Sequence, residues 1–138
     1  MDKITKSQRS RNMSRIRSHG SRAERIVRSE AHGLGFRYRL HVSGLPGKPD
    51  MVFRRKSKVI FVHGCFWHQH AGCKLASVPK TNENYWWPKL KRNMQRDEEN
   101  IRRLQEEGWD VLIVWECETR DRAAVREKVK LFLAGEWA

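Results

Sequence analysis

The chain has 138 residues, enough for one domain with a real core, and a formal net charge of +13 from 29 basic and 16 acidic side chains. No apolar run reaches the roughly 18–20 residues that cross a bilayer, and the polar, basic N-terminus does not read as a secretory leader. Three cysteines cannot all pair, which points to a reducing compartment and, with histidines nearby, to metal binding.

The charge is uneven. Residues 1–28 hold nine Lys or Arg against Asp2 and Glu24, while acids are frequent again from Asp97 onward. A basic arm over residues 1–20, ahead of a more balanced domain over 21–138, favours a polyanion, because each neutralised phosphate releases condensed counterions. A solvated tail would carry similar charge. A membrane surface fits less well, since the arm lacks a wide apolar face.

In chain order, residues 7–18 are Arg- and Ser-rich, with Met13 and Ile16 three apart, and suit a short helix formed on a partner. Ser21-Arg22-Ala23-Glu24 has capping-box spacing and opens a helix to about Leu34, closed by Gly33 and Gly35. Phe36 to Val42 reads as a strand, and Ser43 to Gly47 as a turn. Asp50–Arg54 and Lys58–His63 read as two more strands, joined by Arg55-Lys56-Ser57. Residues 64–83 show no periodicity, and a loop that long is functional or pinned. A helix from about Asn84 to Glu107 follows, with Pro88 in its first turn. Asp110–Glu116 is an apolar strand and Arg120–Leu133 a final amphipathic helix. This order predicts an α/β fold, a central mixed sheet flanked by helices.

The run Val59-Ile60-Phe61-Val62-His63-Gly64-Cys65-Phe66-Trp67-His68-Gln69-His70 concentrates the chemistry. Ligands, titratable groups and stacking surfaces at a strand's end suit phosphodiester chemistry on nucleic acid. Cys65, His70 and Cys73, with Cys117 just past the last strand, are soft donors for a closed, tetrahedral zinc site. His68 could replace His70 on spacing alone, and Cys117 could be a core thiol. Asp50, after Pro49 and beside the His63 strand, is placed to hold a hard cation against a phosphate, though Pro-Asp also occurs in plain turns.

The long helix carries an apolar stripe of Leu90, Met94, Ile101 and Leu104, with Asp97 in its gap. A carboxylate there needs a partner: a histidine, or Arg92 or Arg96 at the stripe's edge. Glu24 already has a capping role, and pattern alone does not make it catalytic. Phe66, Trp67, Tyr85, Trp86 and Trp87 lie among Lys80, Lys89, Lys91 and Arg92, where aromatics either pack or wedge between bases.

Together these residues resemble the very-short-patch repair endonucleases, the Vsr family, from about Ser7 to Glu118. The carriers are Leu45 to Asp50, Val59 to His68, Asn93 to Asp97 and Gly108 to Cys117. The resemblance implies a restriction-endonuclease-like fold with structural zinc, and magnesium-dependent nicking of one strand of double-stranded DNA beside a T:G mismatch. By motif, Asp50 is the magnesium-binding aspartate, and His68 activates water with Asp97 orienting it. His63 and Glu24 match further active-site positions. Cys65, His70, Cys73 and Cys117 match the zinc ligands, and Phe66, Trp67 and Trp86 the intercalating aromatics. Met13, Ile16, Lys89 and Asn93 match positions that meet the mismatch. A bacterial, cytoplasmic, nucleoid-associated monomer is implied, with mismatch-repair proteins as further partners.

Two departures stand out. Val62 replaces the family's usual threonine and leaves only a backbone carbonyl for a cation. The Cys65–Cys73 loop is one residue longer, with Ala71-Gly72 before the cysteine, so spacing leaves the choice of imidazole ligand open. The acid-x-Lys of broader nuclease relatives is absent, which fits a histidine-based variant.

Overall fold

The protein is described from a computed structural model covering residues 22–134. The basic arm, Ser21 of the capping box, and the helix expected over residues 7–18 lie outside the described residues. Helix α1 (Arg22–Gly33) buries Ala23, Val27 and Ala31, a one-sided stripe at i, i+4 and i+8. Gly35, at φ +89°, turns the chain away in a conformation that strains any side chain.

Four strands follow in the order β1 (Arg39–Leu40), β2 (Met51–Phe53), β3 (Lys58–His63) and β4 (Asp110–Trp115). β1 and β2 pair antiparallel across a ten-residue connection and β2 and β3 across a four-residue one, while β3 and β4 run parallel. The parallel pair needs a crossover, supplied by the long helix α2 (Glu83–Glu106). Helix α3 (Arg122–Ala134) closes the described chain.

Alternation along the strands sorts side chains onto two faces. Met51, Phe53, Ile60, Val62 and Val114 pack with Val27 of α1 and Val125, Val129, Phe132 and Leu133 of α3. Val52, Val59 and Phe61 face the other way, onto Leu104 and Ile101 of α2. The predicted mixed sheet between helices is therefore observed. β3 is buried along its whole length. Even Lys58 is enclosed, its Nζ donating to the Phe132 carbonyl at 2.7 Å near the end of α3.

Three expectations change. The first strand is two residues rather than seven, because both residues are exposed and His41 leaves the extended region at φ 47°. Pro88 is the sixth residue of α2, past the first turn, so its ring removes the helical donor for the carbonyl of residue 84. Met94 is 39 % exposed rather than core, because at this level α2 turns Asn93, Arg96 and Asp97 to an open cleft, and Met94 neither lines that cleft nor joins the cluster that Leu104 and Ile101 form with the sheet.

The turn before Asp50 is set by close approach. Gly47 (φ +75°) and Lys48 (φ 49°) are consecutive left-handed residues, and a Cβ on Gly47 would lie 3.0 Å from Asn100 Cβ on α2. Gly47→Ala is therefore expected to destabilise the protein by about 1–3 kcal/mol in urea unfolding. It should also lower activity, because the same turn aims Asp50.

Candidate active site and metal centre

A cleft of about 320 Å³ opens between the β1–β2 turn and α2, at the end of the sheet where β3 finishes. Its lining includes Asp50, His63 and His68, and also Lys48, Arg96 and Asp97. Asp50 enters β2 from the turn, and its Oδ2 accepts the Val62 N–H at 2.7 Å. Behind it stands Glu24 of α1, 1 % exposed. His41 Nε2 lies 2.9 Å from Glu24 Oε1 and 3.6 Å from Asp50 Oδ1. The Glu24 carboxylate thus faces the site, whatever capping it also provides, and Arg28 approaches its other oxygen at 3.7 Å.

Burial, and after it the neighbouring Glu24, push Asp50 up to about 8. Two carboxylates pressed together out of water are a poor arrangement for charge and a good one for a hard divalent cation. Their oxygen donors fit magnesium, which binds through one or two carboxylates.

The second group surrounds His68. Its Nδ1 meets Asp97 Oδ2 at 2.6 Å, and its ring stacks on His63 with centroids 3.8 Å apart and planes 7° from parallel. Of the partners open to Asp97 on sequence, the structure brings it to a histidine and not to an arginine. Burial, reinforced by His68, lowers His63 to about 3, so this imidazole is neutral at physiological pH. Its Nδ1 is buried without a hydrogen-bond partner among the described residues.

The third group is the cysteine cluster. One donor atom from each of Cys65, His70, Cys73 and Cys117 lies within 4.8 Å of the others. His70 Nδ1 faces Cys117 Sγ at 3.4 Å and Cys65 Sγ at 3.7 Å, while its ring stacks on Trp115. The geometry therefore separates the two histidines that spacing left interchangeable. Burial pushes the Cys65 thiol up to about 12 and raises Cys117 as well. Three sulfurs and one imidazole converging from two segments of the chain are compatible with a closed structural metal site, and soft donors of this kind fit zinc. Tight turns hold the loop: His68 N–H to Gly64 O, His70 N–H to Cys65 O, and Gln69 Nε2 to the carbonyls of Phe66 and Ala76.

Phe66, Trp67 and Trp86 pack edge-to-face, with centroids 5.0–5.8 Å apart. Trp86 is buried, while Phe66 and Trp67 are half-buried. Asn93 Nδ2 donates to the Trp67 carbonyl at 3.2 Å, and Lys89 Nζ sits 5.1 Å over the Tyr85 ring. Met13 and Ile16 lie outside the described residues. Sequence reasoning missed His41, Lys48, Arg96 and Asn100 as cleft residues. His41 had no local signal, since only the β1–β2 pairing brings it to Asp50, with its N–H on the Asp50 carbonyl.

A mixed four-stranded sheet with a histidine–carboxylate cleft at one end and a cysteine cluster beside it suits metal-assisted phosphodiester chemistry. Comparisons with known proteins make that class specific. A family model described as DNA mismatch endonuclease Vsr matches residues 1–74. The type II nicking enzyme V.XorIIP of Xanthomonas oryzae pv. oryzae is 42% identical over 132 residues, 96% of each chain. The DNA mismatch endonuclease Vsr of Escherichia coli is 42% identical over 138 residues, covering 96% of this chain and 88% of its own. The type II nicking enzyme V.NmeAIP of Neisseria meningitidis is 39% identical over 128 residues, 93% of this chain and 91% of its own. The protein is thus a DNA endonuclease. It belongs to the Vsr family of DNA mismatch endonucleases and nicking enzymes.

Asp50 and His63 titrate in opposite senses. A raised acid binds its proton more tightly when folded, so its stabilisation is lost as pH rises towards about 8. A depressed histidine contributes stability above its unfolded value near 6.5 and loses it as pH falls towards about 3. Between pH 6.5 and 8 only the Asp50 effect remains. Without added divalent cation, stability should fall across that window by on the order of 1–2 kcal/mol. Asp50→Asn should flatten the slope in pH-resolved urea unfolding; an unchanged slope would assign the proton elsewhere.

Proposed function

We propose that this enzyme nicks one strand of double-stranded DNA beside a T:G mismatch, in a magnesium-dependent reaction of very-short-patch repair. The observation that carries the reading is the His68–Asp97 pair at 2.6 Å, in the same cleft as the Asp50 carboxylate. Asp97 accepts the Nδ1 proton of His68, which fixes the tautomer and leaves Nε2 as the base. His68 then takes a proton from water attacking the phosphorus in line. His63, uncharged and stacked on it, holds the ring in place and adds no like-charge repulsion when His68 becomes cationic. Lys48 and Arg96 draw the phosphate into the cleft.

The Asp50 carboxylate and the Val62 carbonyl would hold the magnesium, with Glu24 supporting Asp50. Magnesium bound there supplies positive charge to the scissile phosphate and the departing oxygen. Structural zinc on Cys65, His70, Cys73 and Cys117 would pin the loop that carries His68, within a restriction-endonuclease-like fold. Phe66, Trp67 and Trp86 would wedge into the stack at the mispair, where unstacking costs least. Lys89 and Asn93 would read exposed base edges from one groove, and Met13 and Ile16 of the basic arm from the other. The enzyme would act in the bacterial cytoplasm, and a monomer suffices for one nick.

A second reading has its own support, since V.XorIIP and V.NmeAIP are type II nicking enzymes by name. In that case the chain nicks DNA with a specificity set by a partner modification system. The deciding experiment is strand-specific cleavage of an end-labelled duplex carrying one T:G pair, with and without magnesium, beside the matched duplex. A magnesium-dependent nick confined to the mismatched duplex is expected. Equal cleavage of both duplexes would favour the second reading, and mismatch binding without cleavage would point to a sensor.

Two variants probe the roles of single residues. His68→Ala should lower kcat about 10²–10⁴-fold with DNA affinity retained in gel-shift titration. Cys117→Ser should reduce bound zinc, measured by elemental analysis, and lower the Tm; full zinc content in this variant would remove Cys117 from the ligand set.

A further inference from the structure

We infer that His41 is a direct ligand of the cation in the cleft, so that Glu24, His41 and Asp50 form one three-donor site selective for first-row transition ions over magnesium. The inference rests on the reading above that Asp50 holds a divalent cation, and it adds to that reading two direct ligands, Glu24 and His41, and a metal preference.

The three side chains come from separate elements: Glu24 from α1, His41 from the end of β1, and Asp50 from the start of β2. Their donor atoms nevertheless converge, all within 4.8 Å of one another. His41 Nε2 stands 2.9 Å from Glu24 Oε1 and 3.6 Å from Asp50 Oδ1. Neighbouring donors on one cation, with bonds of ~2.1 Å at right angles, lie roughly 3 Å apart. The observed spacings sit close to that value, so a cation can enter with small adjustments of side chains already in place.

The backbone supports the same conclusion. His41 adopts φ 47°, a region that non-glycine residues enter at a cost. Its N–H donates to the Asp50 carbonyl at 3.2 Å, so the strand pairing holds the two residues together in that conformation. Relaxation of His41 to an extended φ would swing the imidazole away from both carboxylates. The ring is 25 % exposed and lines the cleft with Asp50, so an ion and a phosphate oxygen can reach the same point.

Donor chemistry sets the preference. Magnesium takes oxygen ligands and sheds water reluctantly, so an imidazole adds little to its binding. First-row transition ions accept nitrogen readily, and manganese is the mildest of them. A site with two carboxylates and one imidazole therefore ranks manganese above magnesium.

The test is manganese titration of the full chain without DNA, read by electron paramagnetic resonance, with magnesium as competitor. Pulsed measurement of nitrogen coupling to the bound manganese reports ligation directly. The natural chain should show one imidazole nitrogen coupled to the metal. His41→Gln offers an oxygen donor of similar reach, and should lose that coupling and weaken manganese binding about fivefold or more, with magnesium binding within about twofold. His41→Asn, whose residue type tolerates the left-handed conformation, serves as the second variant if the glutamine form melts early. Absence of nitrogen coupling in the natural chain, or its persistence in either variant, would overturn the inference while leaving magnesium-dependent nicking intact. Asp50→Asn separates the two levels: manganese binding that survives this change would remove the cation from Asp50, and the underlying reading would fail with it.

Discussion

All six residues of β3 are buried, with β2 bonded along one edge, β4 along the other and helices over both faces. A one-residue slip would turn Val59 and Phe61 towards α1 and α3, and Ile60 and Val62 towards α2, exchanging the two sets of core contacts. The strand is therefore fixed, and the site is measured from it. Val62 N–H holds the Asp50 carboxylate, and His63 supplies the ring on which His68 stacks. The chain leaving β3 goes directly into the cysteine loop.

Charge in the cleft is handled by pairing rather than by solvent. His68 has Asp97, Glu24 has His41, and the carboxyl of Asp50 is held by a backbone donor. The cost of burying two carboxylates side by side is offset only in part by these contacts, which is why burial raises Asp50 so far. Sites arranged this way resist folding as bare anions and favour cations and phosphates. His63 extends the logic, since burial keeps it neutral beside the stacked His68 ring.

The loop from Gly64 to Asn82 holds two short 3-10 turns, Lys74–Ala76 and Lys80–Asn82, and is otherwise held by individual hydrogen bonds. Local turns fold it back on itself, and Gln69 ties its two limbs together through the Phe66 and Ala76 carbonyls. The Cys65 N–H reaches Glu116 and its sulfur accepts the Cys117 N–H, so the loop is also joined to the segment after β4. One face of the loop thereby presents the cysteine cluster and the other presents His68 to Asp97. Phe66 and Trp67 of the same loop pack edge-to-face with Trp86 of α2, which ties the loop to the long helix as well.

The sequence by itself determined the alternation of strands and helices, the buried β3, the cysteine–histidine cluster and the pairing of Asp50 with the end of the His63 strand. These are encoded locally, in period-two apolar runs, punctuating glycines and dense unusual residue types. Family likeness added roles to residues such as Glu24 that pattern alone assigned to capping. Only the tertiary structure decided which imidazole faces the sulfurs, because His68 and His70 differ by two residues in the chain but point to different sides of the loop. It also decided that Asp97 meets His68 instead of Arg92 or Arg96, since a helix pattern gives a face but not its neighbour. His41 was illegible for the same reason: it is an ordinary residue at the end of a two-residue strand, and its meaning comes entirely from hairpin pairing that places it against Asp50 and from the helix that brings Glu24 to the same point.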